Sequence, residues 1–338
     1  MPYPTVNYIG NKEKIVDWIV SLIPKDAKTI LDVFCGGCSV GYKAKEMGLT
    51  VYANDILKIN YFIAQALIEN NDKVIEAEDV KAIFDGSPKK GFMFKNFANQ
   101  YYFPEECKEL DMIKENISKQ IKGKYKKALA FTLMRRAMIR KMPYSRFTIR
   151  WDKVKELRNE ELSYAKYGRK RHYHNQSFKF HFEDNLQEYN NAVFDNNKKN
   201  KAFNLDVYKA INEIDADVIY MDPPYAGTMN DYFGFYGLLD AYITGTNVKP
   251  FKNNFIDKNT IIEQFNHLFS KLGKYKYWML SYNSRSKPNK EEILKLLKRY
   301  SNNVVVHEMP YAYRVTGKEK KKKDIEYLFV VRNAKYEK

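Results

Sequence analysis

Cysteine, histidine and uninterrupted apolar sequence are all scarce in this chain of 338 residues. Its three cysteines (Cys35, Cys38, Cys107) are too few for a disulfide framework and suit a reducing compartment. Cys35 and Cys38 stand at C-x-x-C spacing, but the five histidines offer no H-x-x-x-H partner, so neither a metal site nor redox chemistry is expected. No apolar stretch approaches the roughly 18 residues of a membrane span, and the opening Met-Pro-Tyr-Pro-Thr lacks the apolar region of a secretory signal. A cytoplasmic chain without membrane association is the expectation.

Positive charge is abundant. Lys and Arg number 58 against 41 Asp and Glu, a formal net charge of +17, which points to a polyanion as partner, nucleic acid first. With 44% hydrophobic residues the chain can build a sizeable core, either as two domains or as one large domain with an insertion.

Short β-rich runs recur at Thr29–Phe34, Thr50–Asn54, Phe178–Phe182, Val218–Met221, Tyr275–Leu280, Asn303–His307 and Ile325–Val331. Helix-period segments separate several of them: Lys14–Ile23, Val40–Met47, Ile59–Glu69, Asn259–Leu272 and Lys290–Tyr300. The alternation predicts a doubly wound, mostly parallel α/β sheet of seven strands. The last two runs are joined by too short a loop for a crossover helix, so the last strand should be antiparallel.

Between the second and third runs the chain is far longer than a crossover needs. This predicts a domain inserted at 71–177 within a catalytic domain formed by 1–70 and 178–338. From Lys89 to His174 there are 23 Lys and Arg against 9 Asp and Glu, so this segment carries +14 of the net charge, interleaved with Tyr144, Phe147, Trp151, Tyr164, Tyr167 and Tyr173. The mixture suits phosphate contacts with base or sugar packing, and a lysine-rich solvated face would account for it too. Lys126–Lys141 reads as a helix with Leu129, Leu133 and Ala137 on one side. Arg136 and Arg140 fall one turn apart and Arg135 is adjacent, a spacing that suits phosphates or guanine edges but also an ordinary amphipathic helix. The candidate nucleic-acid contacts are Arg135, Arg136, Arg140, Lys141, Arg146, Arg150, Arg169, Lys170 and Arg171. The run Lys318–Lys323 reads as an exposed loop.

The most informative local pattern is Asp222-Pro223-Pro224-Tyr225, which follows the apolar run ending at Met221. In open α/β sheets, ligands gather where such strands end. Two prolines cannot continue the ladder, so a stiff turn fixes the Asp222 carboxylate, the Pro223 carbonyl and the Tyr225 ring relative to one another. Two acceptors beside an aromatic plate suit a planar, amino-bearing base. Earlier in the chain, Leu31–Gly41 has the form of a strand, a glycine turn and a helix start, and Asn54-Asp55 ends the next run. An acid there can hold the ribose hydroxyls of an adenosine-bearing ligand, or can cap the following helix. The glycine spacing does not fit the G-x-G-x-x-G dinucleotide fingerprint, which argues against a nicotinamide enzyme.

Together these residues resemble the Dam-like (alpha-class) DNA adenine-N6 methyltransferases. Tyr8-Ile-Gly-Asn-Lys12 is similar to the family's opening signature, Asp32–Gly41 to its glycine loop, Asp55 to its ribose acid, Asp184 to its third acid, and Asp222–Tyr225 to its catalytic tetrapeptide. Tyr52–Leu57 and Leu280–Ser284 look more like the Fok-type methyltransferases of type IIS restriction systems. Cys38 departs from the glycine commonest at its position. The resemblance implies a seven-stranded, Rossmann-like methyltransferase sheet using S-adenosyl-L-methionine (SAM), held by Tyr8, Lys12, Asp32, Phe34, Cys35, Gly36, Asp55, Asp184 and Asp222. It implies catalysis by Asp222, Pro223, Pro224 and Tyr225 on an adenine flipped from double-stranded DNA, with the insertion as a mainly helical recognition domain. It further implies a cognate restriction endonuclease, action as a monomer on DNA, and a bacterial, archaeal or phage-encoded enzyme at the nucleoid. Cytosine-N4 and RNA methyltransferases share the tetrapeptide and stay open, as does, more remotely, a binding module without turnover. Cytosine-C5 chemistry is excluded, because none of the cysteines follows proline to supply its nucleophile.

Overall fold

Runs of apolar residues without alternation, such as Val218–Met221, can be satisfied only where both faces of a strand are covered. In the structure, a computed structural model, they form the middle of a seven-stranded sheet. The residues described are 2–145, 147–159, 162–163, 169–170, 172–225, 232–247, 255–311 and 324–336.

The strands are β1 (Thr29–Asp32), β2 (Thr50–Asn54), β3 (Leu162–Ser163), β4 (Arg169–Lys170), β5 (Lys201–Phe203), β6 (Val218–Met221), β7 (Tyr277–Asn283), β8 (Val304–Tyr311) and β9 (Asp324–Arg332). The large sheet runs in the order β5-β2-β1-β6-β7-β9-β8, and β3 pairs with β4 in a separate hairpin. β5, β2, β1, β6 and β7 are parallel, while β9 is antiparallel to both β7 and β8. The α/β sheet with an antiparallel last strand is therefore as expected.

The chain divides into two compact units: Met1–Ile9, Leu57–Asp195 and Asp231–Pro250 in one, Gly10–Ile56, Asn196–Asn230 and Phe251–Lys338 in the other. The second unit holds the large sheet. Leu31, Val33, Ile219 and Met221 share a core with Ile211, Phe265, Leu268 and Ile293 from helices Val207–Glu213, Ile261–Ser270 and Lys290–Leu297. Helix Ser39–Glu46 packs on β1 and β2.

The first unit is helical apart from the β3–β4 hairpin among its described residues, and 71–177 lies wholly inside it together with 57–70, 178–195 and 231–250. Its central helix, Lys124–Arg140, is buried without interruption from Ala128 to Ile139. That overturns three expected nucleic-acid contacts. Arg135, 1% exposed, donates to the Val6 carbonyl and, at 3.2 Å, to the Asn7 carbonyl. Arg136 is buried with its Nε on Asn185 at 3.2 Å. Lys141 is buried too, 3.0 Å from Glu106 and donating to the Gln176 carbonyl at 2.5 Å. These cations tie the unit together, because a buried charge is tolerated only where acceptors surround it. Arg140 keeps partial exposure and pairs with Asp184 at 2.5 Å.

The segment Phe178–Phe182 is not a strand. Ser177 caps a helix, Phe178–Asn191, by accepting from the Phe180 amide at 3.0 Å. Phe178, His181, Phe182, Asn185 and Tyr189 are buried at helical spacing, and the Phe-Lys-Phe-His-Phe alternation only imitates a strand. Asp184 is therefore a helix residue paired with Arg140, not an acid at a strand end. The strand in that place is β5, and the acid following it is Asp206, which caps helix Val207–Glu213.

Arg150 is exposed; the side chains of Arg169 and Lys170, the residues Arg146 and Arg171, and the run Lys318–Lys323 lie outside the described residues. Among the described residues no helix is long and apolar enough to cross a membrane.

Replacing Arg135 strips two backbone carbonyls of their donor, at roughly 1–3 kcal/mol each. Arg135→Ala is therefore expected to lower stability by about 2–5 kcal/mol in denaturant titration. The salt dependence of nucleic-acid binding should stay as in the parent, and the converse pattern would return Arg135 to a surface role.

Candidate active site

The ends of β2, β1 and β6 lie side by side, and one buried amide braces the chain leaving β1, β2 and β5. Asn54 Nδ2 donates to the Val33 carbonyl at 3.2 Å and to the Leu205 carbonyl at 3.1 Å, while its Oδ1 accepts from the Leu205 amide at 3.0 Å. The segments leaving β1, β2 and β5 are thus fixed to one another before any ligand arrives.

After β1, the chain turns sharply through Gly36 (φ 49°) and Cys38 (φ 66°) into helix Ser39–Glu46. Cys38 occupies the left-handed region where a side chain is unfavourable, which accounts for glycine being commonest there. Phe34 packs edge-on against Phe255 at 5.5 Å. Cys35 and Cys38 are buried free thiols, and burial pushes the Cys35 thiol well up.

Asp55, nearly buried, accepts from the Gly36 amide at 2.9 Å, which holds its carboxylate against the glycine turn. The N-cap of the next helix is Leu57, and Asp240 takes the Lys58 and Ile59 amides at 2.9 and 2.8 Å.

Asp32 closes β1. Burial, then the charges of Asp222 and Asp55, drive its carboxyl well above the usual carboxylate range, although amides of Gly41 and Phe34 pull the other way. Its Oδ1 is buried without a hydrogen-bond partner among the described residues. An orphaned acceptor between two further carboxylates fits a ligand that brings positive charge, and Asp55 beside the glycine turn fits a ribose. These residues therefore suit SAM, whose sulfonium and ammonium are cationic.

The Asp222–Tyr225 corner follows β6. Lys12, 3% exposed, reaches it with Nζ at 2.9 Å from Asp222 Oδ1, 2.8 Å from Oδ2 and 2.9 Å from the Tyr225 hydroxyl. That hydroxyl lies 2.7 Å from Asp222 Oδ1 and 3.0 Å from Glu326 Oε1. The Tyr225 ring meets Tyr282 edge-on at 5.1 Å, and Pro223 is buried beside it. Glu326, fully buried on β9, was not foreseen. Lys12, Asp32, Phe34, Cys35, Gly36, Asp55 and Asp222–Tyr225 thus all belong to the second unit. Tyr8 belongs to the first, where it stacks on Tyr236 at 4.9 Å.

Comparison with known proteins shows the family. The model of the D12 class N6 adenine-specific DNA methyltransferases matches residues 8–302. The chain is 58% identical to the type II methyltransferase M2.HphI of Haemophilus parahaemolyticus, over 98% of both chains. It is 24% identical to the modification methylase StsI of Streptococcus sanguinis, over 98% of this chain, and 24% identical to the type II methyltransferase M.FokI of Planomicrobium okeanokoites, over 96%. It spans about half, 52%, of the length of each of those two.

A carboxyl whose folded pKa lies above its unfolded value destabilises the fold when ionised, fully above the folded pKa and less as pH falls towards the unfolded one. Asp32→Asn should accordingly melt higher than the parent at pH 8 in calorimetry without ligand. The gain should shrink as the solution is acidified, and an Asn variant that melts lower at pH 8 would contradict the strain assigned to Asp32.

Proposed function

Because the chain belongs to the D12 class of N6 adenine-specific DNA methyltransferases, we propose that it methylates an adenine flipped out of duplex DNA as the modification half of a type II restriction system. SAM is the methyl donor of this family and supplies an electrophilic methyl group on its sulfonium. The observation that carries the reading is the Asp222-Pro-Pro-Tyr corner standing beside the Asp32 and Asp55 carboxylates at the ends of parallel strands.

An amino group inside the base stack cannot be approached in line, so the target adenine must leave the duplex. At the corner, Asp222 and the Pro223 carbonyl accept from its N6 amino group while Tyr225 stacks on the ring. Those hydrogen bonds draw the nitrogen lone pair out of conjugation and aim it at the methyl group. Asp55 takes the ribose hydroxyls of the donor and Asp32 faces its positive charge. Phe34, Cys35 and Gly36 let the donor approach the glycine turn.

The basic stretch 89–174 supports DNA as the partner. With Arg135, Arg136 and Lys141 committed to the interior, contacts fall to Arg150 and to Arg146, Arg169, Lys170 and Arg171, with Arg140 released when Asp184 is displaced. A restriction system is supported by the likeness to M2.HphI and StsI, a type II methyltransferase and a modification methylase. The reading includes a cognate endonuclease, a monomer on DNA and work at the nucleoid in the cytoplasm.

Tritiated SAM offered with duplex DNA, single-stranded DNA and RNA, followed by nucleoside chromatography, tests the proposal. Label should appear in N6-methyladenine from the duplex; label in RNA or in N4-methylcytosine would redirect it. Asp222→Ala is expected to abolish transfer while DNA affinity stays within about tenfold, since phosphate contacts dominate binding. Near-normal turnover by that variant would overturn the assignment.

A further inference from the structure

Glu326 is a fully buried acid that neither the tetrapeptide nor the family's glycine loop includes. It sits on β9 opposite Asn283 of β7 and Met309 of β8, and its Oε2 accepts from Asn283 Nδ2 at 3.3 Å. Its Oε1 faces the catalytic corner, 3.0 Å from the Tyr225 hydroxyl and 3.5 Å from Lys12 Nζ.

The Tyr225 hydroxyl is the junction. The Lys12 ammonium, 2.9 Å away, can only donate to it, so the phenol accepts from Lys12 and has one proton to give. Among the described residues, two carboxylate oxygens compete for that proton, Asp222 Oδ1 at 2.7 Å and Glu326 Oε1 at 3.0 Å. When Asp222 receives it, Oδ1 is occupied by both Lys12 and Tyr225 and both of its lone pairs are used. When Glu326 receives it, one lone pair of Oδ1 is available to a new donor.

Resting on the adenine-N6 reading above, we propose that Glu326 is a positioning residue that takes the Tyr225 hydroxyl proton and part of the Lys12 charge, leaving Asp222 Oδ1 an open acceptor for the target amino group. The role needs a charged acceptor. A neutral amide in the same place competes weakly with the Asp222 carboxylate, because hydrogen bonds to ionised acceptors are the stronger ones. Substrate contact is left to Asp222 and Tyr225, and Glu326 acts through the hydroxyl alone.

The test is a double-variant cycle on the full chain, read by single-turnover methyl transfer from labelled SAM to duplex DNA. Glu326→Gln is expected to slow transfer by about 10- to 100-fold with SAM and DNA dissociation constants within about threefold of the parent. Glu326→Asp, which keeps the charge, should recover part of the rate. In a Tyr225→Phe background, Glu326→Gln should change the already reduced rate by less than about threefold, since the group it acts through is gone. Parental transfer by Glu326→Gln, or losses that multiply in the double variant, would overturn the proposal. If Glu326→Gln does not fold, Glu326→Asp carries the cycle, and an equal loss with and without the Tyr225 hydroxyl overturns it. Absence of transfer by the parent would instead defeat the adenine-N6 reading and the proposal with it.

Discussion

A single buried ammonium organises the candidate site. Lys12 is brought against the end of β6 and lies within 3.5 Å of two carboxylates, Asp222 and Glu326, and within hydrogen-bond reach of the Tyr225 phenol. Glu326 can be buried there because a cation and further donors surround it. The Pro-Pro turn fixes where Asp222 stands, and the lysine ties it to Tyr225 and Glu326. Asp32, on the neighbouring strand, shows the alternative: lacking such a cation, its carboxyl is driven well upward by burial and by the charges of Asp222 and Asp55. In the function proposed above, a cationic methyl donor supplies the positive charge that Asp32 faces.

Those parts of the fold that are both continuous and apolar were legible in the sequence. β1, β2 and β6 were found at or near their true bounds, β1 and β6 because strands buried on both faces leave a hydrophobic run and β2 because Thr50-Val-Tyr is rich in strand-forming residues. The residues at their ends followed, since the glycine turn, Asp55 and Asp222-Pro-Pro-Tyr are local patterns. β5 was missed because an edge strand of three residues, Lys201-Ala-Phe203, carries almost no periodic signal. Its place was given to Phe178–Phe182, whose alternation over five residues is outvoted by Ser177 and by apolar spacing that extends to Tyr189.

Charge misled in the opposite way. Arginines one turn apart on Lys124–Arg140 have the look of a groove-reading face, but the helix is buried from Ala128 to Ile139 and two of the three serve as internal donors to Val6, Asn7 and Asn185. Sequence shows that a cation is present and not whether carbonyls wait for it across the core. Glu326 was missed although a signal existed. Its phase on β9 matches buried Leu328, so an acid is placed on the inward face of the strand, which is the mark of a partnered charge.

The central claim, that Lys12 holds Asp222, Tyr225 and Glu326 together at the site, is tested most directly by denaturant titration of Lys12→Met. Removing the cation that both carboxylates share should cost roughly 3–5 kcal/mol of stability at pH 8. Stability equal to that of the parent would contradict the account.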